Sequence, residues 1–149
     1  MNLFRKYIKF SNHSSILSYI IENMKTITQT HYINAPIGAV WTAFTDPILI
    51  NKWGGGPAVM DGKVGTEFSL WGGDIHGKNI EIETEKKLVQ EWYAGEWSAP
   101  STVTFTFSTE GSKTKVDIVH ENVLDSEVDE IDNGWKVYFI VPIQELLEE

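Results

Sequence analysis

His120, the pair Asp74 and His76, the alternating Glu81, Glu83 and Glu85, and three consecutive glycines at 54–56 are the places where this chain of 149 residues could do chemistry. His120 shares strand parity with Val116 and Ile118, so it turns inward, either as a hydrogen-bonded core imidazole or as the one titratable group an enzyme on this chain could use. A base needs a partner that orients it, and no Ser/His/Asp order and no His-Glu-x-x-His pattern supplies one. Asp74 and His76 sit two apart in a glycine-rich hairpin and are too few to hold a metal. Glu81, Glu83 and Glu85 share one strand face without an apolar neighbour to raise a carboxyl pKa, which reads as a solvated face. No catalytic residue, metal site or cofactor is therefore assigned.

The glycines close the stretch TDPILINKWGGG (45–56), in which Asp46 is placed to cap a short helix, Pro47 to begin it and Gly54 to stop it. A phosphate loop needs the opposite order, glycines opening onto a helix N-terminus, and GKVG at 62–65 lacks the hydroxyl residue that completes one. Gly55 and Gly56 exceed what a stop requires. They are expected to form a flexible lip beside Trp53.

Six Trp, seven Phe and five Tyr are many for one short chain, and they are its most informative residues. Trp71, Trp92, Phe105, Phe107, Trp135 and Phe139 come from separate segments, so they meet only in a core or around a cavity within it. The net charge of −9 excludes nucleic acid and anionic membrane as partners, since binding them rests on Lys and Arg. No Cys means no disulfide framework and no thiolate, and the expected setting is cytoplasmic. No apolar run reaches the roughly 18 residues of a membrane span.

The elements that must position these residues follow from periodicity. KTITQTHYIN (25–34) reads as a strand, and two short helices follow, at 37–44 and from Pro47 to Trp53. Five more strands come next, at 67–71, 77–86, 88–94, 101–108 and 114–123, joined by hairpins and hence antiparallel. Alternation places Ile80 and Ile82, and Val103, Phe105 and Phe107, on the apolar face. The acidic run DSEVDEID (125–132) reads as a solvated connection, with Asp132 or Asn133 as cap of a last helix over 133–149 that Pro142 should bend. The fold class is α+β: a six-stranded antiparallel sheet crossed by one long helix. Residues 1–23 stand apart, with three cations and almost no acid; they read as a helical extension, a transit-type leader or a stretch before the domain proper, which spans 24–149.

APIGAVWTAFTDPILINKW, VGTEF, the run from Gly77 to Trp92, STVTFTF, TKVDIVHENV and GWKVYFIVPIQELL, in that order, resemble the activator of heat-shock protein 90 ATPase homologue family (Aha1-like C-terminal domain), of the START/birch-pollen-allergen superfamily. The resemblance covers about residues 26–147 and implies a helix-grip fold, with a curved sheet around a long C-terminal helix. It implies a non-enzymatic domain holding a small hydrophobic molecule between sheet and helix. Ile80, Ile82, Trp92, Phe105, Phe107, Ile118 and His120 would face that molecule from the sheet. Trp135, Tyr138 and Phe139 would face it from the helix, and Trp53 and Trp71 from the rim. A second implication is a module that binds a heat-shock protein 90 chaperone; a third is a cyclase or hydrolase on the same fold. Relatives often carry a second tryptophan where this chain has Gly54, which implies a wider, looser lip.

Overall fold

A computed structural model describes residues 23–94, 97 and 99–148; the expected N-terminal extension lies outside the described residues. Strand β1 (Met24–Ile33) leads into helices α1 (Ile37–Thr45) and α2 (Pro47–Trp53), followed by strands β2 (Glu67–Leu70), β3 (Ile75–Glu83), β4 (Lys87–Ala94), β5 (Ser101–Glu110) and β6 (Lys113–Leu124). The sheet is antiparallel in the order β1-β6-β5-β4-β3-β2, so the first strand closes against the last and β2 is an edge. A C-terminal helix, α3 (residues 128–147), crosses the apolar face, giving the helix-grip arrangement. No helix among the described residues is long and apolar enough to cross a membrane.

Helix α2 starts and stops as its sequence dictates. The Asp46 carboxylate accepts the Ile48 N–H at 2.8 Å, Pro47 occupies the first turn, and Gly54 takes the left-handed conformation at φ 103°. The following glycines correct the expectation of a flexible lip. A Cβ on Gly55 would come within 2.7 Å of the Trp53 ring and 2.8 Å of Ile50, and one on Gly56 within 1.8 Å of Asn51 Oδ1. That Asn51 oxygen accepts the Ala58 N–H at 3.1 Å, and the Gly55 carbonyl accepts the Trp71 N–H at 2.7 Å. These glycines allow close backbone approach, and the loop is tied down on both sides.

Two further expectations are corrected. A bulge between Asn79 and Glu81 inserts one residue into β3 relative to β4, so parity reverses along the strand. Asn79 turns inward at 0% exposure, Ile82 packs partly against the core opposite Leu88, and Ile80 is left 42% exposed on the outer side. The last helix begins earlier than expected: 125–132 is not a connection but a 3-10 turn (Asp125–Glu127) and the helix start, with Asp129 and Glu130 in the first turn, where they complement the dipole. Helix α3 then runs through Val128–Gly134, a π-helical stretch Trp135–Ile140 and Val141–Leu147, right-handed throughout. In the wide turn the Val141 N–H bonds the Lys136 carbonyl, five residues back. Pro142 follows it directly, where its ring would otherwise strike the preceding turn. Gln29 of β1 fastens the helix to the sheet, donating to the Asp132 carbonyl at 2.8 Å and carboxylate at 2.7 Å.

Candidate functional site

The rings expected to surround a ligand surround one another. Trp135 lies 4.8 Å from Trp92, 4.9 Å from Phe139 and 5.6 Å from Phe105, centroid to centroid. Phe139 also meets Trp53 at 4.7 Å, and Phe44 of α1 adds a ring 5.1 Å from both Phe105 and Phe107. Most pairs are tilted or edge-on, as ring quadrupoles prefer. Trp92, Phe105, Ile118 and Trp135 are at most 1% exposed, and Trp53, Phe107 and Phe139 at most 6%. Trp71 is half-buried 6.2 Å from Trp53 at the rim, and Tyr138 is half-buried on the helix flank. Of the twelve side chains that the sequence placed around a ligand, ten lie on or against the sheet-helix interior; Ile80 is exposed on the outer side, and Tyr138 is only half-buried.

His120 is sealed in the same interior at 0% exposure. Its Nδ1 accepts the Trp135 Nε1–H at 3.1 Å, which leaves Nε2 to carry the proton and donate to Ser101 Oγ at 2.8 Å; Ser101 donates onward to the Trp92 carbonyl at 3.1 Å. Burial pushes the imidazole pKa down to about 3, so the ring is neutral at physiological pH. With both nitrogens engaged inside the protein, His120 has no lone pair directed at a substrate. It joins strands β4, β5 and β6 to α3.

A second buried chain escaped sequence reasoning. Trp92 Nε1–H donates to Gln90 Oε1 at 2.8 Å, Gln90 Nε2 to Asn79 Oδ1 at 2.9 Å, and Asn79 Nδ2 reaches Thr66 Oγ1 at 3.3 Å. The alternation of LVQEWYA does put Gln90 on the side of Leu88 and Trp92; Asn79 is hidden by the bulge.

On the opposite, outer face lies a groove of about 500 Å³ at the β2–β4 end, lined by Val59, Ser69, His76, Tyr93, Glu67, Lys78 and Glu91, with Phe68 and Gly77 at its base. The His76 and Tyr93 rings stack across the strands, 5.2 Å apart and 6° from parallel. Sequence reasoning reached His76 only as a metal candidate, and among the described residues no group of three or more His, Cys, Asp or Glu is placed to hold an ion.

Comparison with known proteins gives these features a setting. Residues 34–148 match the family model described as Activator of Hsp90 ATPase homolog 1-like protein. Over 80 residues, 52% of this chain, it is 38% identical to the Activator of 90 kDa heat shock protein ATPase homolog of Dictyostelium discoideum, of which it spans 21%. It is 28% identical over 122 residues, 74% of this chain, to the Hsp90 co-chaperone AHA1 of Saccharomyces cerevisiae, spanning 34% of that protein. The chain thus covers well under half the length of these curated relatives. Among solved structures, an HSP90 activator from Plasmodium falciparum superposes with a TM-score of 0.73 at 30% identity, covering 81% of this chain and 94% of that one.

Proposed function

This chain belongs to the Activator of Hsp90 ATPase homolog 1-like family, and from that membership we propose that it is a non-enzymatic interaction module that binds a heat-shock protein 90 chaperone through its acidic exterior. The observation that carries this reading is the mutual packing of Trp92, Trp135, Phe105 and Phe139. With the interior occupied by its own side chains, recognition falls to the surface, and that surface is acidic in a chain of net charge −9. The relatives named for this activity supply the partner. A cytoplasmic setting goes with this reading.

The test is the ATPase rate of a heat-shock protein 90 chaperone with and without the full chain, together with a pull-down, at low and high salt. Stimulation or capture that weakens with salt is expected, because exposed charges act only within a Debye length of about 10 Å at 0.1 M. No effect and no capture at low salt would overturn it. The alternative, a small hydrophobic molecule between sheet and helix touching Trp53, Trp71, Trp92, Trp135 and Phe139, requires those rings to part. Its support is the concentration of aromatic side chains between the layers. Saturable quenching of tryptophan fluorescence by a fatty acid, sterol or flavonoid at stoichiometric amounts would favour it over surface recognition.

A further inference from the structure

The strand registers draw a line of charge across the outer face that neither the core nor the caps use. Glu67 stands opposite Lys78, Lys78 opposite Glu91, Glu91 opposite Thr102, and Thr102 opposite Glu121. One row from β2 to β6 therefore carries three carboxylates and a single ammonium. At a strand spacing of about 4.8 Å the row is about 19 Å long. The next row runs from Val59 through Ser69 and His76 to Tyr93, ending in the stacked ring pair. The groove lies between these two rows. Lys87, farther along β4, is engaged by Glu81 at 3.1 Å. Among the described residues Lys78 is the one Lys or Arg lining the groove, with a glutamate on each side of it.

We propose that this groove docks a cationic segment of a protein partner, an incoming Lys or Arg lying along the His76–Tyr93 side with its charge held by Glu67 and Glu91. Each part of such a side chain has a counterpart. The aliphatic stem meets Val59, which is 62% exposed at the rim, the head meets carboxylates, and an aromatic flank favours a cation over an anion. An anionic segment would face Glu67, Glu91 and Glu121 with only Lys78 in its favour. The charge distribution supports the same sign, since Arg5, Lys6 and Lys9 but only Glu22 among the acids precede Asn23, leaving residues 23–149 more acidic than the −9 of the whole chain. The proposal rests on the co-chaperone reading only for the identity of the partner; the preference for cations belongs to the groove.

The experiment uses the full chain and an acetylated hexapeptide alternating Lys and Val, against the same peptide with Glu in place of Lys, followed by amide chemical shifts at low and high salt. Shifts are expected at 67–69, 76–78 and 91–93 with the Lys peptide alone. Glu67→Gln combined with Glu91→Gln should weaken binding about fivefold, the scale of one or two partly screened ion pairs. Asp129→Asn combined with Glu145→Gln, exposed on α3, should leave binding unchanged. Equal binding of the Glu peptide, undiminished binding by the Glu67/Glu91 double variant, or shifts confined to α3 would each overturn the proposal. Peptide binding in the groove with neither an effect on the chaperone ATPase nor capture of the chaperone would support it while sinking the functional reading above.

Discussion

Replacing His120 with Phe should make the protein less stable at neutral pH and relatively more stable in acid. At pH 7.5 the change removes the acceptor of the Trp135 Nε1–H and the donor to Ser101 Oγ, both buried. An orphaned buried donor costs about 1–3 kcal/mol, and the Phe ring keeps the volume, so the loss should stay near that range. In acid the gap narrows for a specific reason. Burial holds the folded-state pKa of His120 at about 3, whereas an unfolded histidine titrates near 6.5. The unfolded chain takes up the proton first, so the stability from keeping this ring neutral is complete above about pH 6.5 and drains away as pH falls toward 3. By pH 4.5 that linkage removes roughly 2–3 kcal/mol from the wild-type protein and nothing from His120→Phe. Urea unfolding followed by tryptophan fluorescence at pH 7.5 and 4.5 gives the two gaps. Differencing the proteins cancels the titration of the 21 acidic residues they share. A gap that does not change with pH would refute the reasoning, since it would mean that His120 titrates normally and is not sealed. In the unsubstituted protein the ring resonances of His120 should also stay fixed between pH 7 and 5.

Two structural corrections lead to their own tests. Gly56→Ala should cost about 1–3 kcal/mol in thermal or denaturant unfolding, because its Cβ would overlap Asn51 Oδ1, which holds the Ala58 N–H; an unchanged melt would restore the flexible lip. Ile80→Ser should lie within about 0.5 kcal/mol of wild type while Ile82→Ser is clearly worse, as expected if the bulge puts Ile80 outside and Ile82 against the core. Equal losses at the two positions would refute the reversed parity.

Period, punctuation and capping are local properties, and what rests on them was legible along the chain. Thr- and Val-rich alternation located the strands, short polar turns between them made the sheet antiparallel, and Asp46, Pro47 and Gly54 bounded α2 because a cap, a first-turn proline and a left-handed stop act within a few residues of themselves. The inward aim of His120 was legible for the same reason, being a matter of parity along the regular part of its strand, which reaches His120 before the irregularity opposite Lys25–Ile27. Parity fails where pairing leaves an extra residue in the strand: Ile80 and Asn79 exchanged sides because of the bulge in β3 against β4. The acidic residues at 125–132 looked solvated because charge dominates their composition, yet a helix start absorbs acids in its first turn. Gly55 and Gly56 looked like freedom and proved to be room for Trp53, Ile50 and Asn51, neighbours that only the returning chain brings close. Aromatic content gave the material of an interior without its volume, since whether Trp92, Trp135 and Phe139 line a space or fill it depends on their distances between β4 and α3. The line from Glu67 to Glu121 was invisible for the same reason: its successive members lie 11 to 19 residues apart along the chain and become neighbours only through the register of four strand pairs. Side-chain chemistry is written residue by residue, but which charges share a surface is decided by pairing between segments, which no single stretch of sequence contains.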